Sequence, residues 1–257
     1  MSLIQRNLLF RILSETREKS VNLVELRETI RITDEAFKNL LSEFNKDNIL
    51  TERSDSITLN TSQRIGLAVK ALELGADIEA ISRALTWLEF EELSARVFEE
   101  NGFNVHRRFR FKANGRRWEI DLLAFFSPYL ICGECKRWEK GMGNQTARKI
   151  VEVQIVKNEM ITKNLPAIRE RVGLEKWRKV TVIPMIITLS STPFEIYRRV
   201  PVVNVLALPR FLTEFSGQLN RLVHTSVELP KYEVGEQKKI SRKKNYRALS
   251  LSSFSSI

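Results

Sequence analysis

Cysteine and histidine are nearly missing from this 257-residue chain, which has two of each. Cys132 and Cys135 stand in C-x-x-C spacing. Residues three apart on a strand point to opposite faces, however, and no further Cys or nearby His completes a tetrahedral zinc site. They read as buried apolar fillers. His106 and His224 are isolated, which argues against a histidine-based nuclease or hydrolase. Glycine is sparse as well. Gly141-Met142-Gly143 lacks the Lys-Ser/Thr that follows a phosphate-cradling loop, so no small-molecule cofactor is expected. Long apolar runs are absent: the longest, near Val180, is far too short to cross a bilayer, and Arg6 and Arg11 interrupt the early apolar positions of any secretory signal. These absences lead to the expectation of a cytoplasmic protein with no membrane partner.

Acid is the next shortage. Lys and Arg number 42 against 31 Asp and Glu, a net charge of +11 with a pI near 9.8, which fits a polyanionic partner. From Arg107 to Arg117 the chain carries six basic residues (Arg107, Arg108, Arg110, Lys112, Arg116, Arg117) and no acid, spanning Ala113-Asn114-Gly115. Asn-Gly is a strong hairpin signal. A basic hairpin that clamps phosphates is therefore expected; the plainer reading is a strand edge kept soluble by its charge. Lys231 to Ile257 carries seven basic and two acidic residues and ends serine-rich, so residues 229–257 are expected to be a flexible basic tail.

What is present starts directly after that hairpin, with E-I-D ending at Asp121 and then G-E-C-K from Gly133 to Lys136. Arg116 to Phe126 predicts a strand, Ser127-Pro128 a turn, and Tyr129 to Arg137 the return strand, which sets Asp121 beside Glu134. Side-chain alternation points Glu134 and Lys136 the same way and Cys135 the other. Two carboxylates and an ammonium thus converge. Carboxylate and carbonyl oxygens suit Mg²⁺, which keeps several waters and takes one or two protein carboxylates. An ordinary surface hairpin with a Glu/Lys pair is the bland alternative, but Leu130 to Cys135 is an apolar run that suits a buried strand, where charge is costly unless paired or ligated. Upstream, Trp87 to Asn101 predicts an amphipathic helix closed by Gly102, with Glu91 on its apolar stripe.

The order of these parts, L-E-F-E-E-L on a helix, G-F-N-V, E-I-D and G-E-C-K on three strands, then a helix, resembles the PD-(D/E)xK nuclease superfamily. The branch it is most similar to includes archaeal Holliday-junction resolvases and methyl-directed restriction endonucleases. The likeness spans roughly residues 86–215. It implies Glu91, Asp121, Glu134 and Lys136 as catalytic residues, with Asp121, Glu134 and Cys135 as the Mg²⁺ set; Mn²⁺ is implied as a substitute. Ile120 stands where the family name has Pro. The helix after the site offers Gln145 and Gln154 to metal or DNA, and Gln154, one turn beyond Ile150 on the buried stripe, is preferred; Asn144 or Thr146 is expected to cap it. Lys179 to Leu189 and Val202 to Leu208 read as further strands, Pro184 suggests an edge or bulge, and Pro209 opens a last helix to about Leu222.

In the first 85 residues, helices over Leu3–Ser14, Leu23–Ile30 and Thr33–Asn45 and a hairpin over Ile49–Leu59 turning at Arg53-Ser54-Asp55-Ser56 resemble a winged-helix domain. Thr33 is its expected cap, with Phe37, Leu40, Leu41 and Phe44 as the core stripe. Its exposed Lys38, Asn39, Ser42, Glu43 and Lys46 are too mixed to choose between DNA and protein contact. The expected fold is α/β: a restriction-endonuclease-like mixed sheet flanked by helices over 86–228, preceded by an α+β winged helix over 1–60 and a helical connector over 61–85. The expected function is Mg²⁺-dependent DNA cleavage, with DNA as partner and a homodimer as an assembly common among such enzymes. The competing class is a noncatalytic DNA-binding regulator that keeps a nuclease-like platform.

Overall fold

The computed structural model describes residues 2–17, 19–30, 32–46, 50, 52–53, 55–137, 143–189 and 192–231. The expected basic tail beyond 231, Ser54 of the turn and the Gly141-Met142 pair lie outside them. Helices α1 (Ser2–Glu15), α2 (Leu23–Ile30) and α3 (Asp34–Lys46) pack with three two-residue strands, β1 (Val21–Asn22), β2 (Glu52–Arg53) and β3 (Ser56–Ile57), in antiparallel order β1-β3-β2. Strand β1 is too short to leave a sequence signal. Thr33 caps α3, its Oγ1 accepting from the Ala36 N–H at 3.3 Å, and Phe37, Leu40, Leu41 and Phe44 are the buried stripe.

Two capped helices follow. Asn60 and Gln63 form a reciprocal capping box at α4 (Thr61–Glu73), and Asp77 caps α5 (Ile78–Ala84). A second capping box, Thr86 with Glu89, starts α6 (Trp87–Glu100), and Gly102 at φ 84° turns the chain out of it. Arg64 of α4 is 3% exposed and ties these helices together. Its guanidinium donates to Leu13 O and Thr16 Oγ1 at 2.7 Å, to Ala84 O at 2.8 Å and to Glu89 Oε1 at 2.5 Å. One apolar core runs from Leu8 through α4 and α6 to one face of the large sheet.

That sheet is mixed α/β, with more antiparallel than parallel pairings. Strands β4 (Asn104–Ala113), β5 (Arg116–Phe126) and β6 (Tyr129–Lys136) form an antiparallel meander. Helix α7 (Asn144–Val172) then crosses over to β7 (Lys179–Thr188), parallel to β6 as a crossover requires. Next come β8 (Ile196–Tyr197) and β9 (Val200–Asn204), the latter parallel to β7. Helix α8 (Leu208–Glu214), a 3₁₀ turn (Phe215–Arg221) and β10 (Thr225–Glu228) complete the described chain. The order is β4-β5-β6-β7-β9-β8, with β10 antiparallel on β7. Core clusters lie on both faces, one under α6 and α8, the other under α7. No helix among the described residues is long and apolar enough to cross a membrane.

Two expectations need correcting. Pro184 lies in the centre of the sheet, paired with Cys132, not at an edge. Thr181 N donates to Pro128 O beside β6, so by alternation the nitrogens of 182, 184 and 186 face the other side. There β10 pairs only up to Val182 and β9 only from Ile186, so the missing donor of Pro184 falls between them. Helix α7 is started by Gly143 with no side-chain cap, rather than by Asn144 or Thr146.

Candidate metal centre

The β5–β6 ladder runs from Phe126↔Tyr129 to Leu122↔Gly133 and stops one residue short of Asp121 and Glu134. A Cβ on Gly133 would meet Ile187 Cδ1 at 3.1 Å and Leu122 O at 3.2 Å, so β6 is tightly flanked on both sides just before β5 parts from it, while β6 stays paired with β7 through Lys136↔Thr188. Beyond that point the Asp121 side chain replaces the ladder, its Oδ2 accepting the Cys135 N–H at 2.9 Å. The break continues into β4. Arg108 opposite has φ 51°, and the β4–β5 register passes over Arg108 and Asp121. Val105 and Leu122 join the core under α6, whereas Phe109, Phe111 and Ile120 join the one under α7. Residues an even number apart should share a face, so both strands roll over at this position.

Glu134 is 7% exposed and held by two ammonium groups: Lys136 Nζ on Oε1 at 2.8 Å and Lys157 Nζ of α7 on Oε2 at 2.5 Å. Asp121 has no ion pair within bonding distance among the described residues. Burial, and then the nearby Glu134 charge, push its carboxyl up to about 6, against the opposing pull of the Cys135 N–H and the two lysines. The expected trio of Asp121, Glu134 and Lys136 is therefore one electrostatic cluster. Lys157 is the member that sequence reasoning missed. Its only signal was its place on the flank of the stripe Ala147, Val151, Gln154, Asn158, Ile161, the side of α7 that lies on the sheet.

The remaining expected residues fall elsewhere. Cys135 is fully buried toward α6, where burial, reinforced by nearby carboxylates, drives its thiol well above the ordinary value. It is no thiolate ligand and offers only its backbone. Glu91, 8% exposed, accepts from the indole N–H of Trp87 and from Arg108 Nε at 2.8 Å, so its carboxylate is engaged at the rim of the site. Gln154 is 1% exposed and donates to Cys132 O at 2.6 Å, a packing bond that keeps it from touching nucleic acid; Gln145 is exposed in the first turn of α7.

The stretch 107–117, which carries no acid itself, meets acids from α6 and from the hairpin's own second strand. Arg107 binds Glu92 at 2.7 Å and Glu99 at 2.8 Å, and those bonds raise its already high pKa. Burial alone would raise Glu92, but hydrogen bonds from Arg107 and Arg96 outweigh it and hold it below the ordinary carboxylate value. Arg108 pairs with Glu91, and Arg110 with Glu119 at 2.5 Å. Lys112, Arg116 and Arg117, around Asn114-Gly115 at the tip, have no ion pair among the described residues; Arg116 lies 4.5 Å over the Trp118 ring.

No family model matches the chain, and no curated protein matches it. Among solved structures it is similar to the protein VC1899 from Vibrio cholerae, at 13% identity and a TM-score of 0.31, over 86% of this chain and 56% of that one. The chain thus spans little more than half that protein's length, and a likeness this faint carries no argument about fold or function.

Proposed function

We propose that this protein is a Mg²⁺-dependent DNA endonuclease of the PD-(D/E)xK kind, with a restriction-endonuclease-like sheet and an N-terminal winged helix. The observation that carries the reading is the convergence of Asp121, Glu134, Lys136 and Lys157 where β5 and β6 part. The donor set fits a hard cation. Two carboxylates and strand backbone oxygens suit an ion that keeps several waters, and an Asp121 carboxyl raised by burial and then by an adjacent acid is a group whose charge a cation would relieve. Among the described residues no group of three or more His, Cys, Asp or Glu side chains could hold a metal, so a zinc-like cage is not the alternative.

Asp121 and Glu134 would hold the ion, which when bound supplies a more acidic water and neutralises charge on the scissile phosphate. Lys136, with a side chain 31% exposed, is the ammonium that reaches toward substrate, orienting the attacking water or balancing developing charge. Lys157, at 16%, is the more buried cation and fixes the Glu134 carboxylate. The three helices and β1-β3-β2 sheet of the N-terminal unit support the winged-helix reading.

Plasmid nicking with and without Mg²⁺ tests the proposal. Wild type should nick only with the metal, Asp121→Ala should abolish cleavage, and Lys136→Ala should slow it by about a hundredfold or more with Mg²⁺ affinity little changed. A well-folded wild type that never cuts would move the assignment to a noncatalytic DNA-binding platform.

A further inference from the structure

Arg108 holds a backbone conformation that favours glycine, with φ at 51°, and it stands opposite Asp121, between the pairs Arg107↔Leu122 and Phe109↔Ile120. The roll of β4 turns its side chain, like that of Arg107, toward α6. There the two arginines differ. Arg107 spends Nε, Nη1 and Nη2 on Glu92 and Glu99. Arg108 spends only Nε, donated to Glu91 Oε2 at 2.8 Å; its Nη edge has no bonded partner among the described residues, and its side chain is 42% exposed. Glu91 is fixed in turn, since its other oxygen accepts the Trp87 indole N–H, and the Trp87 ring centroid lies 5.8 Å from Lys136 Nζ. The same carboxylate borders the Asp121–Glu134 cluster: burial first, and then the charges of Asp121, Glu91 and Glu134, raise the Cys135 thiol. Three carboxylates, Glu91, Asp121 and Glu134, are thus balanced by Arg108, Lys136 and Lys157. With a divalent cation added, the site would carry surplus positive charge and call for an anion. Two parallel Nη donors match two oxygens of a phosphate, which an ammonium cannot do.

We infer that Arg108 binds the scissile phosphodiester, its Nη fork taking the two non-bridging oxygens while Nε stays on Glu91. The base of the hairpin then serves the reacting group through one residue, and general phosphate contact is left to the tip. That the phosphate is the scissile one rests on the nuclease reading; that Arg108 contacts a phosphate does not.

The experiment measures binding of full-length protein to a labelled DNA duplex in chelator across a salt series, then single-turnover cleavage of the same duplex in Mg²⁺ at saturating protein. Wild type, Arg108→Gln and Arg108→Lys are compared, with a melting curve for each. Loss of one phosphate contact should lower the salt slope by about 0.9 in Arg108→Gln and leave it unchanged in Arg108→Lys, which keeps the charge. Cleavage should fall about a hundredfold in Arg108→Gln. It should fall about tenfold or more in Arg108→Lys, which keeps a cation on Glu91 and so preserves the fold, but loses the fork. An unchanged slope in Arg108→Gln overturns the phosphate contact. Wild-type cleavage in Arg108→Lys overturns the fork and leaves Arg108 as the structural partner of Glu91. A wild type that never cuts removes the nuclease reading and the scissile assignment with it, whereas the contact itself stands or falls on the salt slope.

Discussion

Asp121 is the residue whose environment is least comfortable. Its carboxyl is raised to about 6 from the ordinary 3.8, so the folded chain holds this proton more tightly than the unfolded chain does. The penalty is absent below about pH 4, grows as pH rises through about 6 and is complete above it. Asp121→Asn keeps the acceptor for the Cys135 N–H and removes the charge. In chelator at pH 8 it should be more stable than wild type by about 1–2 kcal/mol, with the difference vanishing near pH 4. Melting curves across that range check it, and a difference that does not vary with pH would refute the raised carboxyl. The trio around Asp121 was legible because strand parity and a Ser-Pro turn are local. Lys157 was not, because its rotation toward Glu134 is set by how α7 packs across the sheet.

At the scale of elements, the β4–β5 hairpin has two halves. Its base is bound to α6 and its own partner strand by Arg107, Arg108 and Arg110, and its tip carries Lys112, Arg116 and Arg117. Neutralising the three tip residues should therefore lower the salt slope of DNA binding by about 0.9 for each phosphate left without its cation, with melting temperature unchanged. Neutralising Arg107 should instead cost stability. Salt titrations and thermal melts on both variants separate these roles, and an unchanged slope for the tip variant would remove it from the interface. The turn was legible from Asn-Gly, but the acids of α6 were not, because partners far apart in sequence leave no periodic signature. Pro184 makes the same point: its gap between β9 and β10 exists only in the assembled sheet. Pro184→Ala adds a buried N–H there and should destabilise the fold by about 1–3 kcal/mol, read as a lower denaturation midpoint.

Across the whole molecule, the Arg64–Glu89 pair ties the N-terminal helices to α6, the helix that packs on the sheet. Its side chains are 4% and 5% exposed, and the same Glu89 closes the α6 capping box. Arg64→Met leaves that carboxylate buried without its cation and should cost about 3–5 kcal/mol. Because the core is continuous from Leu8 to Phe215, the loss should lower one shared unfolding transition; two separate transitions, with only the first shifted, would show independent units. The alternation of elements and their caps could be read from the chain. The joining of α4 and α5 to both neighbours could not, since a lone Arg on an amphipathic helix looks like a solvated charge until its partners are known.

The same pair has a consequence for synthesis. Arg64 leaves the ribosome twenty-five residues before Glu89, so the N-terminal helices emerge without the carboxylate that neutralises their buried guanidinium. Without Glu89, Arg64 has only the neutral acceptors Leu13 O and Thr16 Oγ1 of those helices, so their full stability is expected only once the start of α6 is made. Glu91, on that same helix, still lacks Arg108 at that point, so the candidate site's rim is completed only with β4, after Arg64 has its partner.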